Sequence, residues 1–325
     1  MRAAWYERNG KAREVLTIGE MSDPKPAQGE VRVRMATSGL NPSDVKKRQG
    51  SGGQVIGFPR VIPDSDGAGV VDAVASDVDR KLVGKRVWVW NAQHDRALGT
   101  CAEYCCLPAA QVAPLPEGVD FAAGACMGIP AMTAHQALFS DGDVKGKTIL
   151  VAGGAGAVGH YAIQMAKWGG ARVATTVSSD EKAKLAREAG ADLVINYKKD
   201  DVAKQVLEFA KGGVDRVIEV DFGANLDTNL KILRINGTIA SYASMGNPEP
   251  KIPFYTMMRR GIAIDLVLVY IMKPEERAKA LAEIGAMLGR LKHNIGARFK
   301  LDDLVAAHEA QEGGRVVGNI VIDIG

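Results

Sequence analysis

The feature that most constrains the fold is a strand-to-helix junction in residues 148–170, which read TILVAGGAGAVGHYAIQMAKWGG. An aliphatic run stops at glycines, and apolar residues then recur with helical spacing. Gly154, Gly156 and Gly159 form the pattern G-x-G-x-x-G at this junction. Such glycines allow a tight turn, a close approach of the backbone to a pyrophosphate, and contact between helix and strand. Because the helix N-terminus adds N–H donors and a positive dipole, the segment predicts a dinucleotide-binding site.

The chain beyond this junction alternates predicted strands and helices. Strands are predicted over 171–177, 192–196, 214–220 and 237–243, helices through 180–190, 202–210 and 275–291, and a closing strand through NIVIDI. Glycines at 190, 212 and 213 lie where helices should end. Repeated βα units of this length predict a doubly wound parallel sheet.

The first third of the chain is β-rich. Residues 30–39 alternate apolar and charged side chains, which is typical of a half-buried strand, and 67–74 and 85–90 are two further strands. No helix of comparable strength interrupts them, so we expect a barrel-like or irregular antiparallel unit. The apolar stretch 261–270 is either an edge strand that pairs with a second copy of the chain or an internal strand covered by the tail.

Composition excludes several classes of protein. With 325 residues, 46% hydrophobic and 24% charged, the chain is typical of a globular protein of two domains. A net charge of +3 is too small to indicate nucleic acid or an anionic membrane as a partner. No apolar run is long enough to span a bilayer and the N-terminus lacks a signal-peptide core, so we expect a cytoplasmic protein. The four cysteines match no paired zinc motif and are expected to be buried thiols.

The residues after the second strand of the βα region bear on the choice of dinucleotide. NAD sites place a carboxylate there, on the adenosine ribose. This chain has Ser178 and Ser179, with Lys182 one helical turn further on. Hydroxyls and a cation favour a 2′-phosphate and therefore NADPH, although Asp180 could turn inward and repel it. Ser178 and Asp180 could also simply cap the next helix.

Several motifs together resemble one known superfamily. They are residues 100–138, SGLNPSDVKKRQG (38–50), VIPDSDGAGVV (61–71), the glycine junction and the tail LDDLVAAHEAQEGGRVVGNIVI. These resemble the medium-chain dehydrogenase/reductase superfamily, and most of all its zinc-independent quinone oxidoreductases, which include zeta-crystallin. The resemblance covers essentially the whole chain. It implies an α/β protein with a β-rich GroES-like catalytic domain, residues 1–121 completed by 271–325, and a Rossmann NADPH-binding domain, residues 122–270. It also implies a homodimer or homotetramer.

The resemblance also draws attention to missing metal ligands. Zinc alcohol dehydrogenases of this superfamily carry a cysteine near the N-P-x-D segment and a G-H-E motif near residue 65. Here Ser38 or its neighbours and Asp64-Ser65-Asp66 stand at these places. We therefore predict no metal site, and alcohol oxidation is disfavoured because no Lewis acid would stabilise an alkoxide. A quinone or an enone needs less assistance, since conjugation spreads the charge that a hydride delivers.

The resemblance implies catalytic roles for residues of the N-P-x-D segment. Asn41 and Asp44 would line a cleft beside the nicotinamide, with Asn41 hydrogen-bonded to substrate or cofactor and Asp44 more often holding the loop. The segment could equally be a capped structural turn. Lys46 stands where the family usually has a tyrosine. It could stabilise an oxyanion, reach a cofactor phosphate or be a solvated surface lysine.

The resemblance further implies a set of cofactor-binding residues. They are Met132 and Thr133 at the nicotinamide ring; Gly154, Gly156, Ala157, Val158 and Gly159 at the pyrophosphate; Ser178, Ser179, Lys182 and Tyr197 around the 2′-phosphate; Ser241, Tyr242, Ala243 and Ser244 over the nicotinamide ribose; Leu268, Val269 and Tyr270 at the carboxamide; and Arg315, which is shifted by one residue from the family's spacing.

Three functions follow from these observations. The first is NADPH-dependent hydride transfer to a quinone. The second is an enoyl or alkenal reductase, because the basic run Lys46, Lys47 and Arg48 faintly favours an anionic substrate such as a CoA ester. The third is a nicotinamide-binding protein without catalysis. This third function could be that of a redox sensor, a crystallin-like structural protein or an RNA binder, but the sequence offers no aromatic–basic surface for nucleic acid. We therefore expect a small-molecule ligand and neither nucleic acid nor membrane as a partner.

Overall fold

A computed structural model describes residues 1–325, and the chain divides into two compact units. The first unit comprises Met1–Pro130 with Leu281–Gly325, and the second comprises Ala131–Ala280. The predicted domain boundaries, at 121/122 and 270/271, lie N-terminal to both divisions. None of the helices is long and apolar enough to cross a membrane.

Regular secondary structure runs through both units. The strands are β1 (Arg2–Trp5), β2 (Thr17–Glu20), β3 (Glu30–Leu40), β4 (Asp66–Val74), β5 (Arg86–Val89), β6 (Tyr104–Pro108), β7 (Val112–Pro114), β8 (Thr148–Val151), β9 (Arg172–Val177), β10 (Leu193–Asn196), β11 (Val214–Glu219), β12 (Leu233–Ser241), β13 (Ala263–Leu266), β14 (Ile295–Lys300) and β15 (Asn319–Asp323). The α-helices are α1 (Ala12–Val15), α2 (Pro42–Gln49), α3 (Phe121–Gly124), α4 (Met132–Phe139), α5 (Ala157–Trp168), α6 (Asp180–Glu188), α7 (Val202–Phe209), α8 (Phe222–Ile232), α9 (Phe254–Arg259), α10 (Pro274–Met287) and α11 (Leu304–Glu312).

The first unit is built on a seven-stranded sheet in the order β14-β15-β3-β4-β5-β7, with β6 also paired to β3. All pairs are antiparallel except β14 with β15. Apolar and charged side chains alternate along β3, so successive side chains point to opposite faces of the sheet. Val31, Val33 and Met35 are buried in one apolar cluster with residues of β4 to β6. The predicted β-rich antiparallel unit is confirmed.

The second unit is a six-stranded parallel sheet in the order β10-β9-β8-β11-β12-β13. From β8 the chain runs outward through β9 to β10, and it then returns to β11 and runs outward in the other direction to β13. The strand order therefore reverses between β8 and β11, which opens a crevice at the carboxyl ends of these strands. Leu150, Val217 and Ile239 belong to its buried apolar core. The predicted doubly wound sheet is confirmed, and β13 is an edge strand, as one of the two readings of residues 261–270 expected.

Helix α2 is the main difference from the sequence-based expectation for the first unit. The N-P-x-D segment starts this helix, with Asn41 as the N-cap, and Gly50, in the left-handed conformation (φ 76°), ends it. Helical periodicity does not reveal α2, because its buried side carries Asp44 and Arg48 beside Val45. A smaller difference is that the predicted helix over 275–291 ends at Met287 and continues as a 3₁₀ turn.

Candidate functional site

The turn between β8 and α5 has no room for side chains at two of its glycines. A Cβ at Gly154 would lie 2.1 Å from Thr175 Oγ1, and a Cβ at Gly159 would lie 2.3 Å from the Gly153 carbonyl oxygen. Gly153 itself has φ 71°, a conformation that favours glycine. Two glycines of the three-glycine pattern, Gly154 and Gly159, are therefore steric requirements of this turn, whereas a Cβ at Gly156 would lie 3.3 Å from the Gly153 carbonyl oxygen.

The same turn presents backbone donors at the start of α5. The helix begins at Ala157, Val158 and Gly159, and its N-cap Gly156 has no side chain to accept from their N–H groups. The first N–H groups of a helix have no partner within the helix. An anion such as a pyrophosphate would be bound by these donors and by the helix dipole, so the turn fits a dinucleotide.

The end of β9 carries a hydroxyl and an ammonium group in contact. Lys182 Nζ donates to Ser178 Oγ at 2.9 Å, while Ser179 is the N-cap of α6 and accepts from the Lys182 N–H at 3.3 Å. The capping role expected of Ser178 or Asp180 thus belongs to Ser179. Asp180 is exposed and pairs with Lys199 at 3.2 Å, which partly neutralises the carboxylate that could have repelled a phosphate.

The loops that follow β11 and β12 are fastened to each other. The Phe222 N–H donates to the Ala243 carbonyl at 3.0 Å, and the Gly223 N–H donates to Ser244 Oγ at 2.9 Å. Ser241 is buried at the end of β12 and donates to the Ala243 carbonyl at 3.0 Å. The segment 241–244, with Tyr242 half-buried, is thus held rigidly at the carboxyl edge of the sheet.

The remaining predicted cofactor residues have varied surroundings. Met132 and Thr133 begin α4 and are buried. Tyr197 follows β10 and is exposed, and Arg315, in the first unit, is also exposed. Beyond β13, Leu268 is exposed, Val269 is buried and Tyr270 is half-buried. All but Arg315 lie within the second unit. Their contacts with a cofactor stay a prediction.

In the first unit, Asn41 and Asp44 form a buried network with Asp66. Asn41 Nδ2 donates to Asp66 Oδ2 at 2.8 Å and to the Gly39 carbonyl at 3.3 Å. The Asn41 N–H donates to Asp44 Oδ2 at 2.9 Å, and the Ile129 N–H donates to Asp66 Oδ2 at 2.7 Å. The Asn41 amide is therefore fixed by Asp66, a residue for which the sequence analysis predicted no role. A contact between Asn41 and substrate stays a prediction.

Three buried carboxyl groups define the electrostatics of this network. Burial raises the pKa of Asp44 to about 6, against the attraction of Lys47. Burial, and then the proximity of Asp44, raises the pKa values of Asp64 and Asp66 well above the ordinary range. Burial likewise lowers the pKa of Lys47, although all three acids and Asp95 oppose this.

Lys47 rather than Lys46 is the lysine beside these acids. Its Nζ is buried, although Lys46 and Lys47 are both half-buried as whole residues. Residues 44 and 47 lie on one face of a helix (i, i+3). From the sequence, the N-P-x-D segment is expected in a cleft or in a capped turn and no helix is predicted there, so this spacing does not single out Lys47.

The residues at the zinc-ligand positions do not fit a metal ion. Ser38 and Asp64 hydrogen-bond to each other at 3.1 Å, and Asp66 accepts from two N–H groups. No group of three or more His, Cys, Asp or Glu side chains is arranged to hold a metal. All four cysteines are buried and unbridged.

Comparisons with known proteins agree with this description. Residues 157–286 match the zinc-binding dehydrogenase family, and residues 27–117 match the alcohol dehydrogenase GroES-like domain family. The human quinone oxidoreductase is 31% identical over 300 residues, which is 91% of this chain and 89% of that protein. The quinone oxidoreductase of Pseudomonas aeruginosa is 31% identical over 316 residues, which is 95% of each.

Solved structures extend the similarity to the whole chain. A mycobacterial protein complexed with NADPH superposes with a TM-score of 0.87 at 29% identity, over 100% of both chains. The Escherichia coli quinone oxidoreductase complexed with NADPH gives 0.86 at 25% identity, also over 100% of both chains. A 2-haloacrylate reductase gives 0.82 at 27% identity, over 100% of this chain and 99% of that one.

The antiparallel β unit, the doubly wound sheet and its glycine turn together define a two-domain dehydrogenase or reductase. The chain belongs to the medium-chain dehydrogenase/reductase superfamily, in its quinone oxidoreductase branch.

Proposed function

We propose that this protein is an NADPH-dependent oxidoreductase that reduces a quinone. The observation that carries the proposal is the glycine turn with no room for side chains at Gly154 and Gly159, followed one strand later by the Ser178–Lys182 pair. The turn suits a pyrophosphate, and the pair supplies a hydroxyl and a positive charge for a 2′-phosphate. Two relatives of the same fold have been solved with NADPH, which supports this choice.

The chain's own residues would hold the cofactor in a defined way. The N–H groups of Ala157, Val158 and Gly159 would bind the pyrophosphate, and Lys182 would bind the adenosine phosphate. The rigid 241–244 segment would orient the nicotinamide end. When bound, NADPH supplies the hydride of the reduction. The protein then contributes position and electrostatics rather than covalent chemistry.

A conjugated acceptor suits a site without a Lewis acid. The reduced oxygen of a quinone carries its charge over the ring, so hydrogen-bond donors suffice to stabilise it. We propose that Asn41 and Lys46 face this acceptor and that Asp44 holds Asn41 at the start of α2. Chemistry of this kind needs no zinc ligands, which is consistent with Ser38 and Asp64 bonding to each other.

A second candidate is a reductase of a C=C bond conjugated to a carbonyl or carboxylate. The similarity to a 2-haloacrylate reductase favours it. The basic run Lys46, Lys47 and Arg48 gives less support to a CoA ester as substrate than the sequence suggested. Arg48 is buried in a salt bridge with Glu312, and Lys47 Nζ faces the buried acids. Lys46 is half-exposed.

A screen of NADPH oxidation separates these candidates. Purified protein is assayed with simple quinones, enones, 2-haloacrylate and enoyl thioesters, and with NADH in place of NADPH. We expect turnover with quinones and a preference for NADPH. Faster turnover of an enone or acrylate than of every quinone would support the second candidate. Binding of NADPH without oxidation by any acceptor would indicate a non-catalytic nicotinamide-binding protein.

We also propose that the protein is a homodimer paired through β13. This strand is the edge of the parallel sheet, and apolar side chains on and after it are exposed: Leu266 by 74%, Leu268 by 52% and Ile271 by 71%. An exposed apolar edge strand tends to pair with another chain. An isologous contact between two copies would cover both edges.

A further inference from the structure

Asp64 combines two unfavourable features in one residue. Its backbone has φ 70°, in the left-handed region that non-glycine residues seldom adopt, and its side chain is fully buried. Aspartate tolerates this conformation better than most residues, but a buried carboxylate is costly unless it is well paired. The contacts around Asp64 must therefore show whether this strained and buried carboxyl group is ionised or protonated.

The contacts of Asp64 form a short chain of hydroxyl groups. Ser38 Oγ lies 3.1 Å from Asp64 Oδ2, and Ser38 Oγ lies 2.7 Å from Thr100 Oγ1. Thr100 Oγ1 in turn lies 2.7 Å from the Asp66 carbonyl oxygen. The Cys101 thiol contacts Asp64 Oδ2 at 3.0 Å. All five residues are fully buried, so these groups must satisfy one another.

The number of hydrogens in this chain fixes the state of Asp64. The chain has four close contacts, and each needs one hydrogen between its two atoms. Ser38, Thr100 and Cys101 each carry one such hydrogen, and the Asp66 carbonyl carries none. If Thr100 donates to the Asp66 carbonyl, Ser38 must donate to Thr100. The remaining contact, between Ser38 and Asp64, then needs a hydrogen from the carboxyl group.

On the other side of Asp64, His308 supplies no compensating positive charge. Arg48 Nε donates to His308 Nδ1 at 3.4 Å, and an arginine only donates, so the hydrogen of His308 is on Nε2. Nε2 is 3.8 Å from Asp64 Oδ1, beyond hydrogen-bond distance. Burial, followed by the charge of Arg48, lowers the pKa of His308 to about 3, so the ring is neutral.

The other titratable groups around Asp64 lie on three elements and at two positions outside them. They are Asp44, Lys47 and Arg48 on α2, Asp66 on β4, His308 on α11, Tyr6 after β1, and Cys101. Asp44 and Asp66 disfavour a second negative charge, whereas the Cys101 thiol, which donates to Asp64, favours one. Lys47 is the cation that favours ionisation, and it is shared among four acids.

We propose that Asp64 is a protonated, neutral carboxylic acid whose hydrogen holds the turn that carries Asp66 and thereby orients Asn41. The carboxyl hydrogen donates to Ser38, which leaves Thr100 free to hold the Asp66 backbone. Asp66 Oδ2 then accepts from Asn41 Nδ2. Asp64 is thus a positioning residue that acts through Asp66, and it does not itself need to touch a ligand. Its effect on turnover rests on the proposed function, whereas its protonation does not.

Infrared spectroscopy tests the protonation without any substrate. A protonated carboxyl group gives a C=O band that a carboxylate lacks. At neutral pH we expect the wild-type minus Asp64→Asn difference spectrum to contain such a band, and the Asp227→Asn control, in an exposed acid on α8, to contain only carboxylate bands. Carboxylate bands alone in the Asp64→Asn difference would overturn the proposal.

A second variant covers the case in which Asp64→Asn does not fold. Ser38→Ala removes the acceptor of the carboxyl hydrogen while Asp64 remains. We expect the C=O band to move to higher frequency, because a carboxyl group that loses its hydrogen-bond acceptor has a stiffer C=O bond. An unchanged spectrum would contradict the Ser38–Asp64 hydrogen bond and with it the proposal.

The positioning role is tested by the pH profile of NADPH oxidation. Asparagine can donate to Ser38 as the neutral acid does, and alanine cannot. We expect Asp64→Ala to lower kcat about five- to tenfold, the effect of losing about one buried hydrogen bond. We expect Asp64→Asn to recover most of this loss and to remove the decline of kcat that ionisation of Asp64 causes at alkaline pH. An alkaline decline that is identical in Asp64→Asn and the wild type would refute the positioning role.

These readouts also separate the two proposals. If no acceptor is reduced but the C=O band depends on Asp64, the proposed function fails and the neutral acid stands. If acceptors are reduced and the C=O band is absent, the proposed function stands and the neutral acid at Asp64 is refuted.

Discussion

Replacing Asp44 by asparagine should stabilise the protein, and only above a particular pH. Burial raises the pKa of Asp44 from 3.8 to about 6, and this rise is net of the attraction by Lys47. A group whose pKa is higher in the folded state contributes stability that is complete below the unfolded pKa. That contribution is lost as the pH rises through the folded value. The contribution of the Asp44 carboxyl group to the free energy of unfolding is therefore complete below about pH 4 and is lost between about pH 4 and 6.

The expected magnitude follows from the shift. A difference of about two pKa units corresponds to about 3 kcal/mol of folding free energy at pH 8. Asparagine keeps an oxygen that can accept from the Asn41 N–H, so the capping contact of α2 survives the change. Removing the charge also relieves Asp64 and Asp66, whose pKa values Asp44 raises. We therefore expect Asp44→Asn to be more stable than the wild type at pH 8 and nearly equal to it at pH 4.

Urea unfolding at a series of pH values measures this difference. Tryptophan fluorescence reports on the first unit, because Trp88 and Trp90 are fully buried there. A gain of about 3 kcal/mol should raise the urea midpoint by about 1 M or more at pH 8. The exposed Asp227→Asn variant is the control and should leave the midpoint unchanged. If Asp44→Asn is less stable than the wild type at pH 8, the carboxylate is a net stabiliser and the reasoning is wrong.

Three further predictions concern the proposed cofactor site and the dimer. Lys182→Ala should raise KM for NADPH about ten- to a hundredfold, since a charge-assisted contact is lost, and should leave KM for NADH unchanged; equal effects on both would contradict the phosphate role. Gly154→Ala should abolish NADPH binding in calorimetry, because the new Cβ meets Thr175 Oγ1 at 2.1 Å, whereas Gly285→Ala on α10, with open space around it, should bind normally. Leu266→Lys should convert a dimer to a monomer in sedimentation, and a wild type that sediments as a monomer at high concentration would refute pairing through β13.

The sequence predicted most of the secondary structure because local rules decide it. The alternation in residues 30–39 and the βα rhythm after residue 148 reflect side-chain periodicity, and β3 and the strands of the second sheet lie where these patterns place them. Helix α2 was missed for the opposite reason. Its buried face carries Asp44 and Arg48, and no apolar stripe marks a helix that is packed on charged groups.

The candidate site divides in the same way between sequence and structure. The glycine turn, the Ser178–Lys182 pair and the lack of zinc ligands could be read from adjacent residues. The buried acid network could not, because Ser38, Asp64, Thr100 and His308 are far apart in the chain. Which lysine of α2 lies beside the acids also depended on knowing that residues 44–47 form a helical turn.

By itself, therefore, the sequence determined the class of fold, the dinucleotide turn and the family, since each rests on residues within one or two neighbouring elements. Only the tertiary structure decided that His308 lies beyond hydrogen-bond distance of Asp64, that Asp64, Ser38 and Thr100 contact one another in a buried chain, and that Asp66 holds Asn41. The physical reason is that burial and hydrogen-bond pairing depend on every element packed around a group, and these fix the charge of a buried acid more strongly than its neighbours in the chain do.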